Sequence, residues 1–180
     1  MQRFTEVLND FFDLWVLADP EVLTRFQGEE RLSDDLVDAF TRGDTVDRAL
    51  AEGVLLPMSG IVNQPYTMVF RRADEGSVFG ATGADLQVER HGYGLRVTSG
   101  VVGLITVPYL RRWNDEGRAR LRAAVDVGVR QAASVDSGFY AVSVLGGMVA
   151  DGATFEVVFD EVAEDSWALA ARAEATFVIG

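Results

Sequence analysis

Apolar residues in the first 52 positions recur at helical spacing. Phe4, Leu8, Phe11 and Trp15 fall three and four apart with Val7 and Leu14 beside them, which predicts an amphipathic helix ahead of Asp19-Pro20. That pair reads as a stop and a restart, with Asp19 as N-cap and Pro20 in the first turn. Val22, Leu23 and Phe26 form the buried side of the new helix and Gly28 can end it. Ser33 is the expected N-cap of the next segment, with Asp34 and Asp35 near the positive end of its dipole. Leu32 and Val37 can form a hydrophobic staple, Leu36 and Phe40 continue the face, and Gly43 stops it. Thr45 to Ala51 predicts one more short helix.

From Gly53 onward, short apolar or alternating runs are punctuated by glycine, proline, asparagine and aspartate, which is the pattern of strands and turns. The runs predict strands near Val54–Met58, Tyr66–Arg72, Leu86–Glu89, Gly94–Ser99 and Val101–Val107, with hairpin connections at Arg90-His91-Gly92-Tyr93 and at Ser99-Gly100. Trp113 to Val127 fits a helix on Leu121, Ala124 and Val125, and a strand on Leu121, Ala123 and Val125; a short helix is the reading adopted. Val129–Val135, Asp136-Ser137-Gly138 and Phe139–Leu145 read as one hairpin. Thr154–Phe159 puts Phe155, Val157 and Phe159 on one face, and the final segment alternates from Trp167 to Ile179. The expected fold class is α+β: an antiparallel β-sheet or sandwich with amino-terminal helices packed on it, in a single domain over 1–180. Within it, 1–52 forms a helical acidic subregion and 53–180 is mainly antiparallel β.

Charge adds a second pattern. The chain of 180 residues has a net charge of −12, and its 16 basic residues are all arginine. Residues 1–52 carry a net −8, residues 53–130 a net +3 and residues 131–180 a net −7, so two acidic ends flank a mildly basic middle. A net charge of this sign disfavours nucleic acid as a partner, because the phosphate backbone is repelled. There is no cysteine, which removes disulfides and thiolate chemistry and suits a cytoplasmic location. The apolar amino terminus is interrupted by Glu6, Asp10 and Asp13, which rejects a signal peptide, and no run approaches the ~20 apolar residues that cross a bilayer. No membrane partner is expected.

Candidate chemistry is sparse. Ser137, His91 and Asp136 or Asp126 can be written down as a hydrolytic set, since His91 is the single histidine. The nucleophile elbow of hydrolases lies between a strand and a helix, however, whereas Ser137 lies between two runs that read as strands. Asp-Ser-Gly reads as a turn. Asp34 and Asp38 share a helix face, and Asp160, Glu161, Glu164 and Asp165 form a second acidic cluster that lacks the glycine and spacing of a calcium loop. The glycines of GSVFGATGADL belong to no phosphate-binding motif, because the required lysine is absent. No catalytic residue, metal or cofactor is expected. One basic and aromatic stretch, Tyr109 to Trp113 with Arg118, Arg120 and Arg122 beyond, could contact an acidic ligand with Trp113 stacking, against the net charge.

The runs GYGLRVTSGVVGLITVPYL, VDSGFYAVSVLGG and ATFEVVF, over about residues 92–160, resemble a pattern of small bacterial inhibitor proteins. These include immunity proteins that neutralise toxins and competence-associated nuclease inhibitors. Gly138, Tyr140, Val142 and Val144 carry the aromatic-led strand of that pattern. The resemblance implies a non-enzymatic protein that binds a toxin or nuclease partner and occludes it. Asp34, Asp35, Asp38, Glu161, Glu164 and Asp165 are the carboxylates expected to meet such a partner. Two alternatives belong to other classes: a small-molecule or hydrolytic domain with a sheet pocket near His91 and Ser137, and a structural assembly subunit.

Overall fold

The computed structural model describes residues 1–7, 14–150, 152–164 and 179. Its strands are β1 (Gln2–Val7), β2 (Leu14–Ala18), β3 (Leu56–Ser59), β4 (Pro65–Arg72), β5 (Asp85–Val97), β6 (Val101–Thr106), β7 (Ala132–Ser134), β8 (Gly138–Val149) and β9 (Gly152–Val162). The helices are α1 (Pro20–Glu29), α2 (Leu36–Phe40), α3 (Thr45–Ala51), α4 (Val107–Leu110) and α5 (Asp115–Asp126). A five-stranded sheet runs β1-β4-β9-β8-β5 and a four-stranded sheet runs β3-β2-β6-β7. All neighbours are antiparallel except β4 and β9. The α+β class is therefore correct, and the molecule is layered.

Two apolar clusters explain the layers. The first lies between the sheets: Trp15, Leu17, Leu56, Met58, Val102 and Leu104 of the smaller sheet meet Tyr66, Phe70, Tyr93, Tyr140, Phe155 and Phe159 of the larger. Ring contacts join them, with Trp15 edge-on to both Tyr66 and Phe155. The second cluster lies on the other side of the smaller sheet, where Val16, Ala18 and Ile105 are covered by Val22, Leu23, Phe26, Leu36, Ala49, Trp113 and Leu121 of the helical segments. Among the described residues, no helix is long and apolar enough to cross a membrane.

The expected amino-terminal helix is overturned. Residues 2–7 and 14–18 are strands, and residues 8–13 lie outside the described set. The cause is β2. It is central in its sheet and covered on both faces, so Leu14-Trp15-Val16-Leu17-Ala18 is continuously apolar and mimics a buried helix. The helical part thus begins at Pro20, where Asp19 caps α1 as expected, its side chain accepting from the Glu21 amide. The cap of α2 is Asp35 rather than Ser33, with the Asp38 amide donating to its side chain at 3.0 Å.

Three expected hairpins also change. Residues 85–97 form one strand, and the Arg90–Tyr93 stretch is a bulge between the pairs Arg90–Val144 and Tyr93–Val142. Ser99-Gly100 and Asp136-Ser137 are crossings between the sheets, since β5 and β8 belong to the larger sheet and β6 and β7 to the smaller. Alternation alone cannot distinguish a hairpin turn from such a corner. The hairpin that does form is β8–β9, from Phe139–Val162 to Val149–Gly152. The helix expected within 113–127 is present as α5, and the alternation expected after Trp167 lies outside the described residues, apart from Ile179, which is buried in the core.

Candidate functional site

The Asp-Ser-Gly stretch acquires a specific structural task from its neighbours. Ser137 Oγ donates to the Thr98 carbonyl at 3.1 Å, and the Val135 amide donates to the Gly100 carbonyl at 3.0 Å, so the two sheet crossings are tied together. Asp19 locks the same corner from the helical layer. It is fully buried; Oδ1 accepts from the Glu21 amide at 2.8 Å, and Oδ2 accepts from the amides of Thr98 and Ser99 at 2.6 and 2.7 Å. Three charge-assisted bonds from backbone donors hold that carboxylate. Tyr140, four residues past Asp136, donates its hydroxyl to the Asp136 carbonyl at 2.8 Å.

His91 and Ser137 are not brought together. Ser137 lies beyond the Val97–Gly138 pair, while His91 sits in the bulge past Tyr93–Val142. His91 meets Ser143, six strand residues from Ser137, which separates the two by roughly 20 Å. The imidazole instead bridges two neighbours on the sheet's outer face, with Nδ1 2.8 Å from Ser143 Oγ and Nε2 3.0 Å from Glu89 Oε1. Ser143 belongs to the alternating run and points outward, so this pairing was within reach of the sequence; the bulge that aims His91 at it was not. The side chains of His91 and Glu89 are 61% and 52% exposed, and neither lines either cavity described in this structure. Water competes with every bond of the chain, which therefore reads as a cross-strand contact. Ser137 does line a cavity of about 370 Å³ together with Arg72, Asp136 and Tyr140, and His91 is not part of it.

Around that cavity Arg72 gathers carboxylates: Asp136 at 3.6 Å, Glu161 at 3.9 Å and Asp74 at 3.9 Å. Tyr140 lies beside them. Its hydroxyl is pushed above the usual tyrosine range, first by burial and then by the charges of Glu161 and Asp136. Tyr66, bonded to the Val62 carbonyl at 2.9 Å, is raised by burial in the same direction.

The carboxylates expected to face a partner divide between two layers. Asp34, Asp35 and Asp38 sit at the start of α2 in the helical layer. Asp34 accepts from Asn114 Nδ2 at 3.2 Å, Asp35 caps α2, and Asp38 pairs with Arg42 at 2.8 Å. Glu161 is the penultimate residue of β9 in the larger sheet and Glu164 lies just beyond the strand, exposed. Asp165 lies outside the described residues. Three exposed carboxylates close to the first group were missed by the sequence reading: Asp44, Asp47 and Glu52, on and beside α3. Their signal was the run 29–52 itself, which holds eight acidic residues and three arginines. The expected aromatic contact of the basic stretch fails, because Trp113 is fully buried and donates its indole N–H to Thr24 Oγ1 at 3.2 Å.

No family model and no curated protein matches the chain. Over 90% of its length it is similar to a solved structure, that of ComJ from Bacillus subtilis, an inhibitor of the DNA-degrading activity of NucA. The likeness covers 96% of that chain at 9% identity, with a TM-score of 0.47.

Proposed function

We propose that this chain is a non-enzymatic inhibitor of the immunity-protein kind, which binds a toxin or nuclease domain and occludes it through an acidic surface. The observation that carries the reading is the charge of the helical layer. Residues 29–52 hold eight carboxylates against three arginines, and Glu29, Asp34, Asp44, Asp47 and Glu52 are exposed. Two of those arginines are already engaged inside the run, Arg42 with Asp38 and Arg48 with Glu30 and Asp44. The surplus is therefore negative and turned toward solvent.

Such a surface suits a basic partner. A site that handles a phosphate backbone is lined with cations, and clustered carboxylates meet it as phosphates would, raising the encounter rate and fixing orientation. The inhibitor needs no chemistry of its own; it needs carboxylates held on a rigid support, and α2 and α3 rest on the buried second cluster through Leu36 and Ala49. Glu161, Glu164 and Asp165 extend the proposed contact to a second area.

The test is charge reversal with the fold kept. Asp34, Asp38, Asp44 and Asp47 are replaced by arginine, while the cap Asp35 is retained. Association with the toxin or nuclease recovered on the tagged wild-type chain is expected to slow by tenfold or more at low salt, with the circular dichroism unchanged. Association at the wild-type rate would remove the helical layer from the interface.

A further inference from the structure

A cleft of about 700 Å³ opens on the outer side of the smaller sheet, between α1 and α5. It exists because the helices do not cover the end of β6. Gly103 and Val101 face outward there; the glycine contributes no side chain, and Val101 is left 39% exposed. Leu121 and Val125 of α5 form one apolar wall, with Trp113 beneath. The lining also holds Arg25 from α1 and Arg118 and Arg122 from α5, against the carboxylates of Glu21 and Asp126.

Arg118 is occupied: it bonds to the Trp113 carbonyl at 3.1 Å and pairs with Asp115. Arg25 and Arg122 are exposed, one on each wall, and neither has a hydrogen-bond or ion-pair partner among the described residues. In a chain with 28 carboxylates and 16 arginines, this concave site is lined by three arginines and two carboxylates, and two of its guanidiniums stand unpaired over an apolar floor. Concave, mainly apolar sites with a few placed polar groups are where small ligands bind. A guanidinium presents a planar fork of donors matched to a carboxylate or phosphate.

We propose that this cleft binds a small amphipathic organic anion, its apolar body on Val101, Leu121 and Val125 and its acidic head between Arg25 and Arg122. The inference is independent of the acidic surface on α2 and α3. Octanoate is the probe and octan-1-ol, the same chain without the charge, is its control. Titration is followed by calorimetry and by the fluorescence of Trp113 under the floor. Octanoate is expected to bind saturably with a Kd below about 1 mM. Octan-1-ol is expected to bind at least tenfold more weakly, as is octanoate to the double variant R25E/R122E, whose changes are on exposed positions. Gly103→Val, which fills the floor without altering charge, abolishes binding. No saturable signal for octanoate, equal affinity for octan-1-ol, or wild-type affinity in R25E/R122E would each overturn the proposal. The double variant keeps the test decisive if Gly103→Val fails to fold.

Discussion

Asp19 shows what one buried carboxylate does when three backbone amides converge on it. It caps α1 and holds the amides of Thr98 and Ser99, so the helical layer and the sheet crossing share one buried anion. Removing it strands those donors, and Asp19→Ala is expected to lower unfolding free energy by about 3 kcal/mol, read from urea denaturation; a loss under about 1 kcal/mol would contradict the role. Ser137 has a lesser part. Its hydroxyl makes one bond to Thr98, so Ser137→Ala should cost about 1 kcal/mol or less and leave partner inhibition unaltered. Lost inhibition with stability intact would return the serine to a direct functional role. Tyr140 makes stability depend on alkaline pH. Its pKa is raised from 10.0 in the folded chain, so the folded state retains a proton that the unfolded chain releases. Stability is complete below about pH 10 and falls as pH rises from there through the folded value. Tyr140→Phe removes that contribution, so its stability should decline less between pH 9 and 11 than the wild type's; parallel decline would show that Tyr140 is not responsible.

At the scale of elements, α5 begins where backbone crowding permits only glycine. A Cβ on Gly117 would lie 1.6 Å from the Arg112 carbonyl oxygen, while the Gly117 amide bonds to its cap, Asn114, at 3.0 Å. Gly117→Ala is expected to destabilise by about 2 kcal/mol or more and to loosen the cleft wall that α5 forms, measured by thermal melting and by hydrogen exchange along 115–126. Wild-type melting would contradict this. Local signals of that kind were legible in the sequence wherever chemistry was local: the Asp19-Pro20 helix start, the strand periods of β4 and β9, and the helix at 115–126. What escaped was non-local. The central strand β2 is apolar on both faces because a sheet partner and a helical layer cover it, and neither is encoded nearby. The Asp136-Ser137 turn joins two sheets and not two paired strands, which depends on β6 and β5 accepting β7 and β8 separately. The candidate surface was partly legible for the same reason. Asp34, Asp35 and Asp38 announced themselves as a run, and Asp38–Arg42 and Asp44–Arg48 are pairs four residues apart, whereas the pairing of Arg48 with Glu30 required the fold.

The whole molecule is a sandwich with one face of the smaller sheet under helices, and the proposed contact is the acidic surface of α2 and α3 in that helical layer. Long-range steering by such a surface weakens as salt shortens the Debye length to about 8 Å at physiological ionic strength. Association with a basic partner should therefore slow steeply with added salt while dissociation changes little. The measurement closest to the central claim is an inhibition titration. The toxin or nuclease recovered on the tagged chain is assayed on its own substrate with increasing wild-type protein or with the variant carrying arginine at 34, 38, 44 and 47. Wild-type protein is expected to abolish activity near stoichiometric ratio, and the charge-reversed variant, equally folded, to require at least tenfold more. Equal potency of the two proteins, or activity that persists at excess wild-type protein, would contradict it.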